Sequence, residues 1–270
     1  MLPKKVSQYL RRRGAIAPWP SGDVAFSGDY SCWSDAERQS TGYSAPVILE
    51  RTCASLLKVK GGEAVYERDS VLFDTPQYPF PVLAGLLRAG LIGGGRLSVV
   101  DFGGSLGSSY FQCRRFLRSA TVVEWSVVEQ PAYVQRGREQ FADGELRFYE
   151  TIEECLARHR PDVLLLSGVL QYLADPYGAL ARLLSHRLRH VIMDRTPFLK
   201  GDGDRITVQT VPEWIYPASY PAWFFSEASI ARTRTAAGYA LVSDFAGADE
   251  VVLEDGAAYF KGFIYEQGEP

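Results

Sequence analysis

The stretch Val99-Val100-Asp101-Phe102-Gly103-Gly104-Ser105-Leu106-Gly107 decides how the rest of the chain is read. An apolar run beginning at Leu97 closes on an acid, a glycine-rich turn follows, and a helical segment begins at about Ser108. A strand, a tight turn and a helix N-terminus in that order bring backbone N–H groups close to a ligand, because glycine lacks the Cβ that would hold it off.

Two nucleotide-site patterns compete for this turn. The dinucleotide fingerprint G-x-G-x-x-G, started at Gly103, requires glycine where Ser105 and Ser108 stand, so two of its three positions fail. The acid-x-Gly-x-Gly-x-Gly turn of S-adenosylmethionine (SAM) sites is met by Asp101, Gly103 and Gly107, with Ser105 in place of the middle glycine. The second pattern fits better, and the surrounding chain has to decide between them.

From Arg96 onward strands and helices alternate, the sign of an α/β fold with a mostly parallel, doubly wound sheet. Strands are expected at Leu97–Asp101, Trp125–Glu129, Leu146–Tyr149, Val163–Ser167 and His190–Asp194. Helices are expected at Ser108–Arg118 and Pro131–Phe141, after the capping box Thr151-Ile152-Glu153-Glu154, around Leu170–Leu173, and from Pro176. A long irregular stretch then leads to a helix at Ser226–Ala237. The last two strands, Tyr239–Asp244 and Tyr259–Tyr265, are joined by a loop and not a helix, which predicts an antiparallel edge hairpin and seven strands in all. Such a hairpin belongs to the methyltransferase version of this sheet and not to the dinucleotide version.

Residues 1–95 read as a mostly helical cap, and residues 96–270 as a Rossmann-like SAM-binding domain carrying an aromatic insert near 196–225. In the cap, Ser34-Asp35-Ala36-Glu37 is a capping box for a short helix. A longer helix is expected over 46–60, and a third over 81–91 closes at the hinge Gly93-Gly94-Gly95. The aromatic-rich Phe26-Ser27-Gly28-Asp29-Tyr30-Ser31-Cys32-Trp33 has no clear period; with Tyr43 it reads as glue between the parts, or alternatively as pocket lining. Lys4, Lys5, Arg11, Arg12 and Arg13 make a basic, solvated end, for which contact with an anionic surface is the alternative.

With 270 residues the chain is long enough to bury a core without staples. A net charge of −3 argues against a general nucleic-acid binder. Cys32, Cys53, Cys113 and Cys155 are scattered without a C-x-x-C and read as buried thiols of a reducing compartment. No apolar run approaches the roughly 18 residues of a membrane span, and the start lacks the apolar core of a signal peptide, so a cytoplasmic protein is expected.

Open α/β sheets bind ligands outside the carboxyl ends of their strands. Those ends here are Asp101, Glu129, Tyr149, Ser167 and Asp194. Gly103, Gly104, Ser105 and Gly107 would pass under the methionine part of SAM. Glu129, 22 residues beyond Gly107, would accept hydrogen bonds from both ribose hydroxyls. Gln130 and Tyr149 would flank the adenine, core packing being the alternative for Tyr149, and Ser167 and Gly168 would sit beside the sulfonium.

The glycine-rich stretch, Trp125-Ser126-Val127-Val128-Glu129-Gln130-Pro131, Ser167-Gly168-Val169-Leu170-Gln171-Tyr172-Leu173, Asp194-Arg195-Thr196-Pro197-Phe198 and Phe26–Trp33 together resemble a bacterial family of class I SAM-dependent methyltransferases. The resemblance spans nearly the whole chain. Members of that family are often met among genes for surface-polysaccharide assembly, so the resemblance implies SAM as cofactor and a small-molecule acceptor, more specifically a sugar or glycan precursor.

Methyl transfer from a sulfonium is an in-line displacement that needs at most one base for a hydroxyl acceptor. His159, His186 and His190 precede strands and face the wrong end of the sheet, leaving Asp194, Tyr172 and Glu227 as catalytic candidates, with Arg195 beside them and Asp194 first among them. A catechol-type metal site needs several acids and amides at the ends of the fourth and fifth strands, and the fourth offers Ser167 instead, so no metal is expected. The stretch 211–225 holds Trp214, Tyr216, Tyr220, Trp223, Phe224 and Phe225 between Pro212, Pro217 and Pro221. It would form an acceptor wall, or a lid buried against the cap or, in a homodimer, a second subunit. Two alternatives stay open: an NAD-linked or nucleotide-sugar oxidoreductase, disfavoured by the glycine spacing and the lack of a Tyr-x-x-x-Lys pair, and a non-catalytic SAM-binding relative.

Overall fold

The computed structural model describes residues 24–42, 46–119, 121–201, 203–247, 251–253 and 256–268; the basic stretch 1–13 and Tyr43 lie outside them. In chain order the first third carries β1 (Ala25–Tyr30), α1 (Trp33–Arg38), α2 (Pro46–Gly61), β2 (Tyr66–Arg68), β3 (Val71–Phe73) and α3 (Phe80–Ile92). Next come β4 (Arg96–Phe102), α4 (Ser108–Leu117), β5 (Val122–Val128), α5 (Pro131–Gln140), β6 (Leu146–Tyr149), α6 (Ile152–Leu156) and β7 (Val163–Ser167). A 3₁₀ turn at Leu170–Tyr172 leads to α7 (Pro176–Ser185), β8 (His190–Leu199), β9 (Arg205–Val211), β10 (Ala218–Phe224), α8 (Glu227–Ala236), β11 (Tyr239–Ala246), β12 (Val252–Leu253) and β13 (Gly256–Gln267).

The main sheet runs in the order β11-β13-β8-β7-β4-β5-β6, with β12 paired to β13 alone. β4 is parallel to β5 and β7, β5 to β6, and β7 to β8, whereas β13 is antiparallel to both β8 and β11. Read from the other edge, this is the dinucleotide-fold order 3-2-1-4-5-6 with one antiparallel strand inserted before the last. The expected Rossmann-like methyltransferase sheet, with its antiparallel edge hairpin, is therefore present.

Alternate residues of the central strands feed two cores. Val99, Trp125, Val127, Leu165 and Ile192 pack with buried residues of α2, α3, α4 and α5. Val100, Val128, Leu164, Leu166 and Met193 pack on the opposite face with α6, α7 and α8. Burial on both faces is why these strands read as unbroken apolar runs. Helices α2 and α3 from the first ninety-five residues share the first of these cores.

Several expectations change. The Phe26–Trp33 stretch begins as a strand, and the supposedly irregular region before Ser226 contains two more, so β1, β9 and β10 form a second, antiparallel sheet in that order. Their alternation was hidden because Thr207 and Gln209 are buried along with Ile206 and Val208. Pro221 sits within β10, which is an edge strand, where a missing N–H removes no ladder bond. The Ser34 capping box does not form: α1 starts after Cys32 with no side-chain cap. At α6, by contrast, Thr151 Oγ1 accepts from the Glu154 N–H at 3.1 Å. Cys32 is exposed, while Cys53, Cys113 and Cys155 are buried free thiols. Among the described residues no helix is long and apolar enough to cross a membrane.

The contact between α5 and β6 gives a direct test of this packing. A Cβ added at Gly137 would stand 2.5 Å from Cδ1 of Phe148, whose residue is 2% exposed. Gly137→Ala gains about 1 kcal/mol of helix propensity but overpacks the core at a cost of about 1–3 kcal/mol. A net loss of up to about 2 kcal/mol is expected in urea unfolding; a gain in stability would contradict the close approach.

Candidate functional site

The site begins at the end of β4, where the chain must turn over the edge of the sheet without lifting off it. Gly103, Ser105 and Gly107 adopt positive φ of 71°, 54° and 94°. The Gly103 N–H donates to Val128 O at 2.9 Å, which ties the turn to β5. A Cβ at Gly103 would overlap the Val169 side chain, and one at Gly104 would stand 2.5 Å from the Asp101 carboxyl. Leu106, fully buried, pins the turn to the core before α4 starts. Ser105 thus departs from the glycine pattern at a position whose conformation favours glycine.

Asp101 is 1% exposed and lies beneath this turn. Its Oδ2 accepts from Trp125 Nε1 at 3.1 Å, while Oδ1 has no partner. Burial pushes its carboxyl up to about 7, against the opposing pull of the Trp125 hydrogen bond and the Arg195 charge. Gly103 and Gly104 border the cavity and Asp101 lies behind them, so the part of the turn that fits a cofactor's amino-acid end is this glycine cradle, which a Cβ would fill.

Glu129 follows β5 and is half-buried. Its N–H donates to Tyr149 O at 3.0 Å and its Oε2 accepts from the Gln130 N–H at 3.1 Å. Burial raises its carboxyl to about 7. Gln130 is the exposed residue preceding α5. At the end of β7, Ser167 Oγ approaches Asp194 Oδ2 at 3.5 Å, and the Gly168 N–H donates to Asp194 O at 2.9 Å. Arg195, at φ 49°, donates through Nε to Ser167 Oγ at 3.3 Å and lies 3.9 Å from Asp69 Oδ2.

A cavity of about 560 Å³ opens above the strand ends. Its walls include Gly103, Gly104, Ser105, Ser167, Gly168, Tyr172, Asp194 and Arg195 from the sheet side. The β2–β3 hairpin adds Tyr66, Glu67, Arg68 and Asp69, and the insert adds Gln209, Ile215, Tyr216 and Tyr220. On the insert side, Tyr172 OH donates to Gln209 Oε1 at 2.9 Å, Gln209 Nε2 donates to Tyr220 OH at 3.4 Å, and the Tyr216 and Tyr220 hydroxyls are 3.3 Å apart. Burial pushes the Tyr172 and Tyr216 phenols above their ordinary range, so both stay neutral donors.

The structure brings Asp194 and Tyr172 to one cavity but not Glu227. Glu227 accepts from Tyr259 OH at 2.6 Å and pairs with Lys261 at 2.8 Å, because α8 packs over the β11–β13 edge. Tyr172 reaches the cavity with its proton already given to Gln209, which unsuits it as a base. Tyr149 turns away as well: its hydroxyl is 2.6 Å from His159 Nε2 and its ring lies in the second core, leaving only its carbonyl to hold Glu129. Sequence reasoning passed over Glu67 and Asp69. Their only signal was a short mixed run, Tyr66–Arg68, and a short apolar run, Val71–Phe73, separated by a two-residue turn.

Neither a protein-family model nor a curated protein matches this chain. Among solved structures, the chain is similar to the N-terminal domain of EvdMO1 with S-adenosylhomocysteine (SAH) bound, at 14% identity over 72% of this chain and 82% of that one, with a TM-score of 0.46. It is also similar to Burkholderia thailandensis 1,6-didemethyltoxoflavin-N1-methyltransferase, at 16% identity over 93% and 98%, TM-score 0.43. A third is magnesium protoporphyrin IX methyltransferase (ChlM) from Synechocystis PCC 6803, at 15% identity over 70% and 82%, TM-score 0.44. Likeness of this degree says nothing about activity, which has to be argued from the site.

Two outcomes follow from the turn. A non-glycine residue in the left-handed region costs about 1–2 kcal/mol, part of which glycine returns as unfolded-chain entropy. Ser105→Gly is therefore expected to raise the unfolding free energy by up to about 1 kcal/mol, and Ser105→Val to lower it; the reverse order would contradict the turn geometry. For Asp101, the folded chain favours the neutral acid over an ordinary carboxyl of 3.8. Its contribution to stability is complete below about pH 4 and is lost as pH rises to about 7. Urea unfolding of Asp101→Asn across that window should show a shallower fall with pH; an unchanged slope would contradict the burial.

Proposed function

We propose that the protein is a SAM-dependent methyltransferase acting on a small-molecule acceptor, a hydroxyl or amine of a sugar or glycan precursor, in the cytoplasm. The observation that carries this reading is the single cavity joining the glycine-rich turn, the ends of β7 and β8, and the Tyr-lined insert. A site for a cofactor's amino-acid end and a site for an acceptor are thereby contiguous. The antiparallel β13, inserted beside β8, and the failed glycine spacing both weigh against a dinucleotide enzyme.

SAM, when bound, supplies a methyl group on a sulfonium for in-line displacement by the acceptor. In this reading Gly103 and Gly104 offer backbone at close range to the methionine part, and Glu129, which follows β5 and is not among the residues lining the cavity, would accept from two ribose hydroxyls. Ser167 and Gly168 border the reacting position. Asp194, beside Ser167 on the cavity wall, is the group to orient the acceptor or take its proton. The flat faces of Tyr216 and Tyr220 suit a sugar ring, and the resemblance to a family met among surface-polysaccharide genes supports that acceptor class.

Titration calorimetry separates the two roles. Glu129→Ala should weaken SAM roughly tenfold or more, while Asp194→Asn should leave it within about twofold. Unchanged SAM affinity in Glu129→Ala would mean the ribose contact is misplaced.

A further inference from the structure

Glu67 is a buried acid on the cavity wall that the proposed reaction does not use. It lies in β2, 1% exposed, on a hairpin whose turn residues Asp69 and Ser70 take φ of 50° and 70°. Two left-handed residues match the twist of a two-residue hairpin, and here both lack glycine's freedom, so surrounding contacts must hold the turn. They do: Ser55 Oγ donates to Ser70 O at 2.7 Å, and the Thr52 and Ser70 hydroxyls are 3.1 Å apart. In that position the Ser70 N–H donates to Glu67 Oε2 at 3.1 Å. Glu67 Oε1 accepts from the hydroxyl of Ser108, the first residue of α4.

A carboxyl from the first third of the chain is thus fixed to the end of the glycine-rich turn, on the same cavity as Gly103 and Gly104. Burial raises it to about 7. Among the described residues it has these two hydrogen bonds and no ion pair. The Asp69 charge adds to the effect of burial and the Arg195 charge opposes it without pairing with Glu67, and a buried carboxylate with no paired cation is costly unless a ligand brings one.

The geometry points to Glu67 as the acceptor for the α-ammonium of the cofactor's methionine end, so that the β2–β3 hairpin completes the cofactor site. This assignment rests on the methyltransferase reading above. The glycine-rich turn is where that end would be laid, and Glu67, Gly103, Gly104 and Ser108 all border the same cavity.

Calorimetry on the full chain with SAH and with 5′-methylthioadenosine, which keeps the adenosine and thioether but lacks the amino-acid end, tests it. Glu67→Gln, similar in shape but uncharged, is expected to weaken SAH roughly tenfold to hundredfold and to leave methylthioadenosine within about twofold. Equal weakening of both ligands, or unchanged SAH affinity, overturns the assignment. A crystal structure of the unsubstituted chain with SAH decides the matter independently of the variant. An α-nitrogen within about 3.2 Å of a Glu67 oxygen supports the contact, and one beyond hydrogen-bond reach overturns it. An unsubstituted chain that binds neither ligand contradicts the methyltransferase reading itself, and this assignment falls with it.

Discussion

The Asp101 carboxyl, held in the core by Trp125 Nε1 at 3.1 Å, sets the height at which the chain crosses the edge of the sheet. Gly104 can settle onto it because no Cβ intervenes, and Gly103 can pass Val169 for the same reason. With the turn seated, Leu106 reaches the core and α4 begins at Ser108, whose hydroxyl then meets Glu67. A buried acid with one unmatched oxygen is an unfavourable component of a ligand-free fold. What it supports does reach the cavity: Gly104, seated on it, and Gly103 border the cavity while Asp101 lies behind them.

Around that turn the cavity is assembled from parts far apart in sequence. The second sheet takes β1 from the first third and β9 and β10 from beyond β8, and it borders the cavity with Gln209 and Tyr220, to which the β9–β10 connection adds Tyr216. The β2–β3 hairpin closes another side. Arg195 joins two of these parts, bonding Ser167 while lying near Asp69. On the reading proposed above, the sheet and the β2–β3 hairpin together would hold the cofactor, and the second sheet with its β9–β10 connection would face the acceptor. That division fits a fold on which different acceptors are served by changing what lies above the strands.

The legible parts of the sequence were those whose signal is local. Val163–Ser167 is a strand with the expected bounds because burial on both faces leaves an unbroken apolar run, and the Asp101–Gly107 turn carries its own grammar. Helices α2 and α3 could be placed by their glycine ends. What escaped depended on distant partners. Gln209 and Thr207 look like loop residues until β1 and β10 cover them, and Pro221 looks like a strand breaker until its strand proves to be an edge. Glu227 is a candidate in the sequence because it stands at a helix start, but the direction of α8 carries it to Lys261. Tyr149 fell on the right strand end, yet its ring points to the other face, toward His159. Glu67 has no motif around it; only its burial against Ser108 marks it.

Thermal unfolding of the unsubstituted chain with SAM, SAH and NAD in turn bears most directly on the cofactor assignment. A ligand present at a hundredfold excess over its dissociation constant stabilises the folded state by about 2.7 kcal/mol. A raised midpoint with SAM and SAH and none with NAD is the expected result. A rise with NAD alone would contradict it.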